Sequence, residues 1–157
     1  MNALIQKALP AICCLLLSNA AFAESQMDAM LKNAGVVDDN YVYTDPALVR
    51  EAFKIVSNDY GKSLPVQMNS VVEVFAAMFT SRSAIIEYRI TAPLDATEKQ
   101  AFIEALTAPE AKQEACEDYF LSNEFMKANN YSLTYSYSDI DYRPLTKVFM
   151  NPMSCQY

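Results

Sequence analysis

The chain has 157 residues, with 12 basic against 19 acidic side chains, a formal net charge of −7 and no histidine. The missing histidine excludes Ser-His-Asp and Cys-His catalysis and every His metal site. Two glycines cannot build a phosphate-cradling loop, and the acidic balance repels nucleic acid and anionic lipid.

Residues 1–23, MNALIQKALPAICCLLLSNAAFA, have the layout of a secretory signal peptide. Lys7 supplies the positive start, residues 8–17 are apolar, and Ala21-Phe22-Ala23 forms an A-x-A cleavage site before Glu24. The apolar run is shorter than the ~20 residues a bilayer span requires, which weighs against an uncleaved anchor. Cys13 and Cys14 lie within that run, without the small residues that precede a lipidated cysteine. The expected mature chain, residues 24–157, is a single compact domain with 11 basic and 19 acidic residues, net −8. An exported protein in the periplasm or the medium is expected. Its charge favours a protein partner with a basic surface, or serves solubility alone.

Residues 24–34 read as a weak, loosely attached helix, followed by a connector centred on Asp38-Asp39-Asn40. A clear helix is predicted over residues 46–60. Asp45 is its N-cap, Pro46 sits at N1 and Gly61 follows its end. Leu48, Val49, Ala52, Phe53, Ile55 and Val56 recur at helical spacing and form its apolar stripe. Residues 66–79 are extended and rich in Val, Phe and Met, and residues 71–79, apolar on both faces, read as an inner strand. Residues 84–91 alternate, with Ala84, Ile86, Tyr88 and Ile90 on one face and Glu87 and Arg89 on the other. The two strands form an antiparallel hairpin around residues 80–83.

Asp95 and Glu98 have capping-box spacing, and Phe102, Ile103 and Leu106 give that helix an inner face. Pro109 interrupts it and starts a second helical piece over residues 110–129. In the segment Tyr131-Ser-Leu-Thr-Tyr-Ser-Tyr137, every second residue is large and the residues between are Ser or Thr. That pattern predicts a strand whose Tyr131, Leu133, Tyr135 and Tyr137 enter the core, because such residues fit a half-buried pleat. The alternative is a tyrosine-lined groove. Residues 138–144 form a turn, and residues 145–150 return as the last strand. Two hairpins with a helical insert predict an α+β fold: a four-stranded antiparallel sheet covered on one face by helices.

Cys116 and Cys155 are the only cysteines after residue 23, so in an oxidising compartment they predict a single disulfide. With both bonded, no thiolate or cysteine metal site remains. Asp139-Ile140-Asp141 opens like a calcium loop, but Arg143 takes the third ligand position and no glycine follows at the sixth. Asp139 and Asp141 are therefore read as turn formers. Glu73 and Glu87 could face each other across the first hairpin as a carboxylate pair, or be ion-paired strand residues, with Arg82 or Arg89 partnering Glu87. The residues point to no catalytic site, no metal and no cofactor. A non-catalytic protein-interaction module is expected, such as an inhibitor, an immunity-type protein or a secretion or envelope accessory factor. The alternative is a small ligand-binding or carboxylate-enzyme domain with a Tyr-lined pocket. Candidate binding residues are Tyr135, Tyr137, Asp139, Asp141 and Glu87. Asp38, Asp39, Glu114, Glu117, Asp139 and Asp141 are candidates for exposed steering charges.

Overall fold

The computed structural model describes residues 25–155, so the expected signal peptide lies outside the described residues. Among these residues no helix is long and apolar enough to cross a membrane. Helix α1, Gln26–Asn33, is capped by Ser25, whose side chain accepts from Asp28 N. It is not loosely attached, as expected from sequence, because Leu31 and Asp28 are fully buried. Asp28 accepts hydrogen bonds from Glu124 N at 2.7 Å and Phe125 N at 3.0 Å. A carboxylate from α1 thus caps a helix nearly a hundred residues away, whose own N-cap residue, Asn123, makes no capping bond. Gly35, at φ 68, turns the chain out of α1 in the left-handed conformation that glycine adopts without a Cβ penalty.

Helix α2, Pro46–Lys62, begins as predicted, with Asp45 accepting from Ala47 N and Leu48 N. It runs two residues further than expected and takes Gly61 into its last turn, with Ser63 as C-cap. Val49 and Phe53 are its buried contacts with the sheet.

The inner strand read over residues 71–79 is found as β2, Val72–Phe79, and the extended stretch before it adds a further strand, β1 Val66–Asn69, that was not expected. Asn69 makes the turn between them by accepting from Val71 N through its side chain. Strand β3, Ser83–Ile90, pairs antiparallel with β2. Their register shifts between Val74 and Ala76, leaving Phe75 as the extra residue of a bulge. The capping box forms with both of its hydrogen bonds and opens α3, Ala96–Thr107. The predicted second helical piece is three pieces: α4 Pro109–Cys116, a π-helical turn Glu117–Leu121, and α5 Glu124–Ala128. Asn123 is extended between the last two, with φ −129 and ψ 98.

Strand β4, Ser132–Ser138, and strand β5, Pro144–Met150, complete a five-stranded sheet in the order β1-β2-β3-β4-β5. The expectation of four antiparallel strands is corrected here, because β4 runs parallel to β3, from Ser83↔Ser132 to Arg89↔Ser138. The helical crossover carries the chain back to the starting end of β3, which is what parallel pairing requires. The α+β class, the helices and the single disulfide hold.

All the helices pack on one sheet face. Alternation sends Ala84, Ile86, Tyr88, Leu133, Tyr135 and Tyr137 into that layer. Tyr131 stacks on Phe53 of α2, with centroids 5.7 Å apart, and meets Phe125 of α5 edge-on at 5.5 Å. Tyr137 meets Phe102 of α3 at 6.0 Å. The disulfide Cys116–Cys155 joins the end of α4 to the segment after β5, with Cα atoms 5.7 Å apart.

Candidate functional site

The five predicted binding residues fall in two separate places. Tyr135 and Tyr137 lie on the helix-covered face, whereas Glu87, Asp139 and Asp141 belong to the open face and its β4–β5 turn. Helices leave the open face uncovered, and a sheet face turned to water is ordinarily polar.

On the covered side, a cavity of about 90 Å³ opens between α3, α4, the π-helical turn and strands β3 to β5. Tyr88, Tyr119, Tyr135, Tyr137 and Asp118 contribute to its wall, with small Ala105, Ala111 and Ala115 where the helices approach. Tyr88 lies parallel to Tyr137 at 5.0 Å and edge-on to Tyr135 at 5.4 Å, and Tyr119 meets Tyr135 at 5.9 Å. The π-helical turn carries Asp118 and Tyr119, and such turns are frequent at functional sites. The hydroxyl of Tyr135 is buried against Tyr119 without reaching a hydrogen bond of good geometry. Burial, above all, pushes this phenol well above its ordinary pKa. Asp118 is pushed up by desolvation, then by the charges of Glu114 and Glu117. Sequence pattern found the tyrosines but not Asp118 or Tyr119, which reach the cavity from a different element.

On the open side, Glu73 and Arg89 are cross-strand partners, with Arg89 Nη2 2.6 Å from Glu73 Oε1. Glu87 pairs with Ala76 instead, so the facing Glu73–Glu87 carboxylate pair, one of the two readings, does not form, and Arg89 partners Glu73 and not Glu87. The bulge aims Phe75 at Tyr142, and the rings meet edge-on at 5.4 Å. The guanidinium of Arg89 lies 4.5 Å from the centre of the Tyr142 ring and donates to the Tyr142 hydroxyl. Met78, Phe149 and Tyr142 are each about half exposed (49%, 51% and 56%).

Asp139 builds the turn that holds Tyr142. Its carboxylate accepts from Asp141 N and Arg143 N, and Lys99 Nζ lies 2.6 Å away. Two backbone bonds close the same loop, Asp139 N to Arg143 O and Tyr142 N to Asp139 O. Together they keep Tyr142 at φ 62, a conformation that a bulky side chain rarely takes and that a surrounding structure must impose. Asp139 is thus a turn former, as read from sequence, but it is buried and drops out of the exposed steering charges. Asp141 is exposed, 3.8 Å from Arg143. Among the described residues no group of three or more Cys, Asp or Glu could hold a metal ion.

Lys99, ahead of the backbone donors, holds the Asp139 carboxyl below its ordinary pKa. A depressed folded-state value gives stability that is present above the unfolded value, near 3.9, and is lost as pH falls through the folded one. Asp139→Asn is therefore expected to melt lower than wild type at pH 7. The gap should close as the pH is taken below about 4. A gap of constant size across a pH series of melting curves would show that this carboxylate's charge contributes nothing.

Neither a family model nor a curated protein matches the sequence. In fold, the chain is similar to the crystal structure of a candidate secreted protein from Pseudomonas aeruginosa, with a TM-score of 0.50 and 15% identity over 71% of this chain and 96% of the other. It is also similar to the pilotin EpsS of the Vibrio vulnificus type 2 secretion system, with a TM-score of 0.47 and 11% identity over 71% and 96%. At this identity the first likeness speaks for the fold.

Proposed function

We propose that this chain is a small exported protein-interaction module, without catalysis of its own, that docks a basic partner protein on its open sheet face. The observation that carries the reading is the Phe75–Tyr142–Arg89 cluster, presented on a turn that Asp139 fixes in advance. Tyrosine and arginine dominate interface hot spots, and a preorganised turn lowers the ordering cost of binding. Half-exposed Met78 and Phe149 extend that surface with apolar area.

Charge selects the partner's chemistry. The expected mature chain is strongly acidic, and Asp38, Asp39, Glu114, Glu117 and Asp141 are all exposed. Such a field steers basic partners and repels acidic ones. The A-x-A site, the disulfide and the fold shared with a candidate secreted protein agree with an exported life. An inhibitor or immunity-type role and an accessory role in a secretion or envelope system both fit this description.

The test is comparative capture from envelope and culture-supernatant fractions with wild type, Tyr142→Ala and Tyr135→Phe as baits. Wild type and Tyr135→Phe should retain the same partner. Tyr142→Ala should lose about 2 kcal/mol or more of binding, as hot-spot truncations do. Its melting temperature should fall only a little, because the ring is half exposed and its contacts with Phe75 and Arg89 lie at the surface. Neutralising the five exposed acids together should slow association and flatten its salt dependence. A partner that binds Tyr142→Ala as tightly as wild type would reject the open face as the contact surface.

A further inference from the structure

The tyrosine-lined cavity lies on the opposite side of the sheet from the proposed docking face, and it has its own chemistry. Four phenol rings line it, and tyrosine rings attract cations through their electron-rich faces. Asp118 lines it as well, and among the described residues no lysine or arginine forms an ion pair with that carboxylate. Glu114 and Glu117, both exposed, stand close enough to act on Asp118 through their charge. The cavity is therefore electronegative, and it lacks a cation of its own. A buried acceptor is also at hand, the Tyr135 hydroxyl, which closes no hydrogen bond of good geometry.

These features narrow the ligand. An anion would meet the Asp118 carboxylate and the field of Glu114 and Glu117 nearby. A metal ion would find no set of three ligating side chains. A neutral apolar molecule would leave the buried Tyr135 hydroxyl without a good partner and would not answer the negative charge of the half-buried Asp118. The volume of about 90 Å³ suits a small charged head with a few carbons better than a drug-sized ligand.

We propose that this cavity binds an alkylammonium group, supplied as a small free amine or as a lysine side chain of a protein other than the one held on the open face. The rings of Tyr88, Tyr119, Tyr135 and Tyr137 surround the carbons next to the nitrogen. Asp118 balances the charge, and the Tyr135 hydroxyl accepts one N–H.

Calorimetric and NMR titration of the oxidised chain decides it, with butylammonium, the neutral isostere 1-butanol and Nα-acetyl-lysine methylamide as probes. Butylammonium should bind at least about tenfold more tightly than 1-butanol, the margin expected for a desolvated cation over aromatic rings with a carboxylate beside it. Asp118→Asn should remove that margin while the melting temperature is kept, since it relieves the repulsion from Glu114 and Glu117. Tyr135→Phe should weaken the ammonium more than the alcohol. Tighter binding of the lysine derivative would identify the source as a protein side chain. Tighter binding of butylammonium would identify a free amine. The proposal is overturned if alcohol and ammonium bind equally, if neither binds at about 10 mM, or if Asp118→Asn binds butylammonium as wild type does.

Discussion

Tyr131→Ala is expected to destabilise the domain by about 3–5 kcal/mol, the cost of deleting a buried aromatic ring. Tyr131 is 1% exposed and sits where the helix layer and the sheet meet. It stacks on Phe53 and meets Phe125, which are themselves 6.1 Å apart, so its loss opens a cavity bounded by α2, α5 and β4. Neighbours held by two different helices cannot readily collapse into that space together, which places the cost at the high end of such substitutions. For a domain of this size the melting temperature should fall on the order of 10–20 °C. Tyr135→Phe is the control, because it keeps the ring and removes a hydroxyl that closes no good hydrogen bond, so its melting point should hold. If Tyr131→Ala melts with wild type, the aromatic cluster does not bear on the fold.

The second large effect concerns the disulfide. Cys116 and Cys155 are 39 residues apart in sequence, and chain-entropy reasoning gives about 4 kcal/mol for a loop of that length. The bridge holds more than the C-terminus. Its loop contains the π-helical turn, α5 and the whole β4–β5 hairpin, so the unfolded chain is restricted over the part of the domain that is hardest to assemble. Cys116→Ser should lower denaturation free energy by about 2–4 kcal/mol, measured by urea unfolding beside the reduced wild type. Unfolding midpoints that agree for oxidised, reduced and Ser-substituted chains would remove the bridge from the stability account.

What the residues revealed depended on whether the signal was local. Asp45-Pro46, the Asp95–Glu98 box and the alternation of residues 84–90 and 131–137 each act through neighbours in sequence, the distant cysteine pair leaves only one pairing, and each is found where it was read. Alternation is blind to strand direction, because it reports which face is buried and not which way the partner runs. The parallel β3–β4 pair was therefore hidden. Residues 66–70 read only as the extended lead into the strand over 71–79, too short and too polar to show strand β1 and the turn at Asn69. Asp28 reads as a solvated helix residue, and only the fold brings it to the start of α5. The candidate sites were half legible for the same reason. The tyrosines share one strand and one period, while Asp118, Arg89 and Tyr142 join their sites through a π-helical turn, a cross-strand pair and a bulge.

The sheet's two outer strands carry a consequence for self-association. An open sheet offers free backbone donors and acceptors at both edges, and a long flat edge would template fibrils among chains crowded in one compartment. Strand β1 is only four residues long, and its register slips between Gln67 and Asn69. The Gln67 side-chain amide donates to the carbonyls of Asn69 and Val72, which occupies acceptors near that border. Strand β5 opens with Pro144, which has no N–H to offer, and exposes Lys147 midway, so stacked copies would set like charges against each other. Both borders are thus poor templates, and the apolar residues of the open face can stay exposed without inviting edge-to-edge growth.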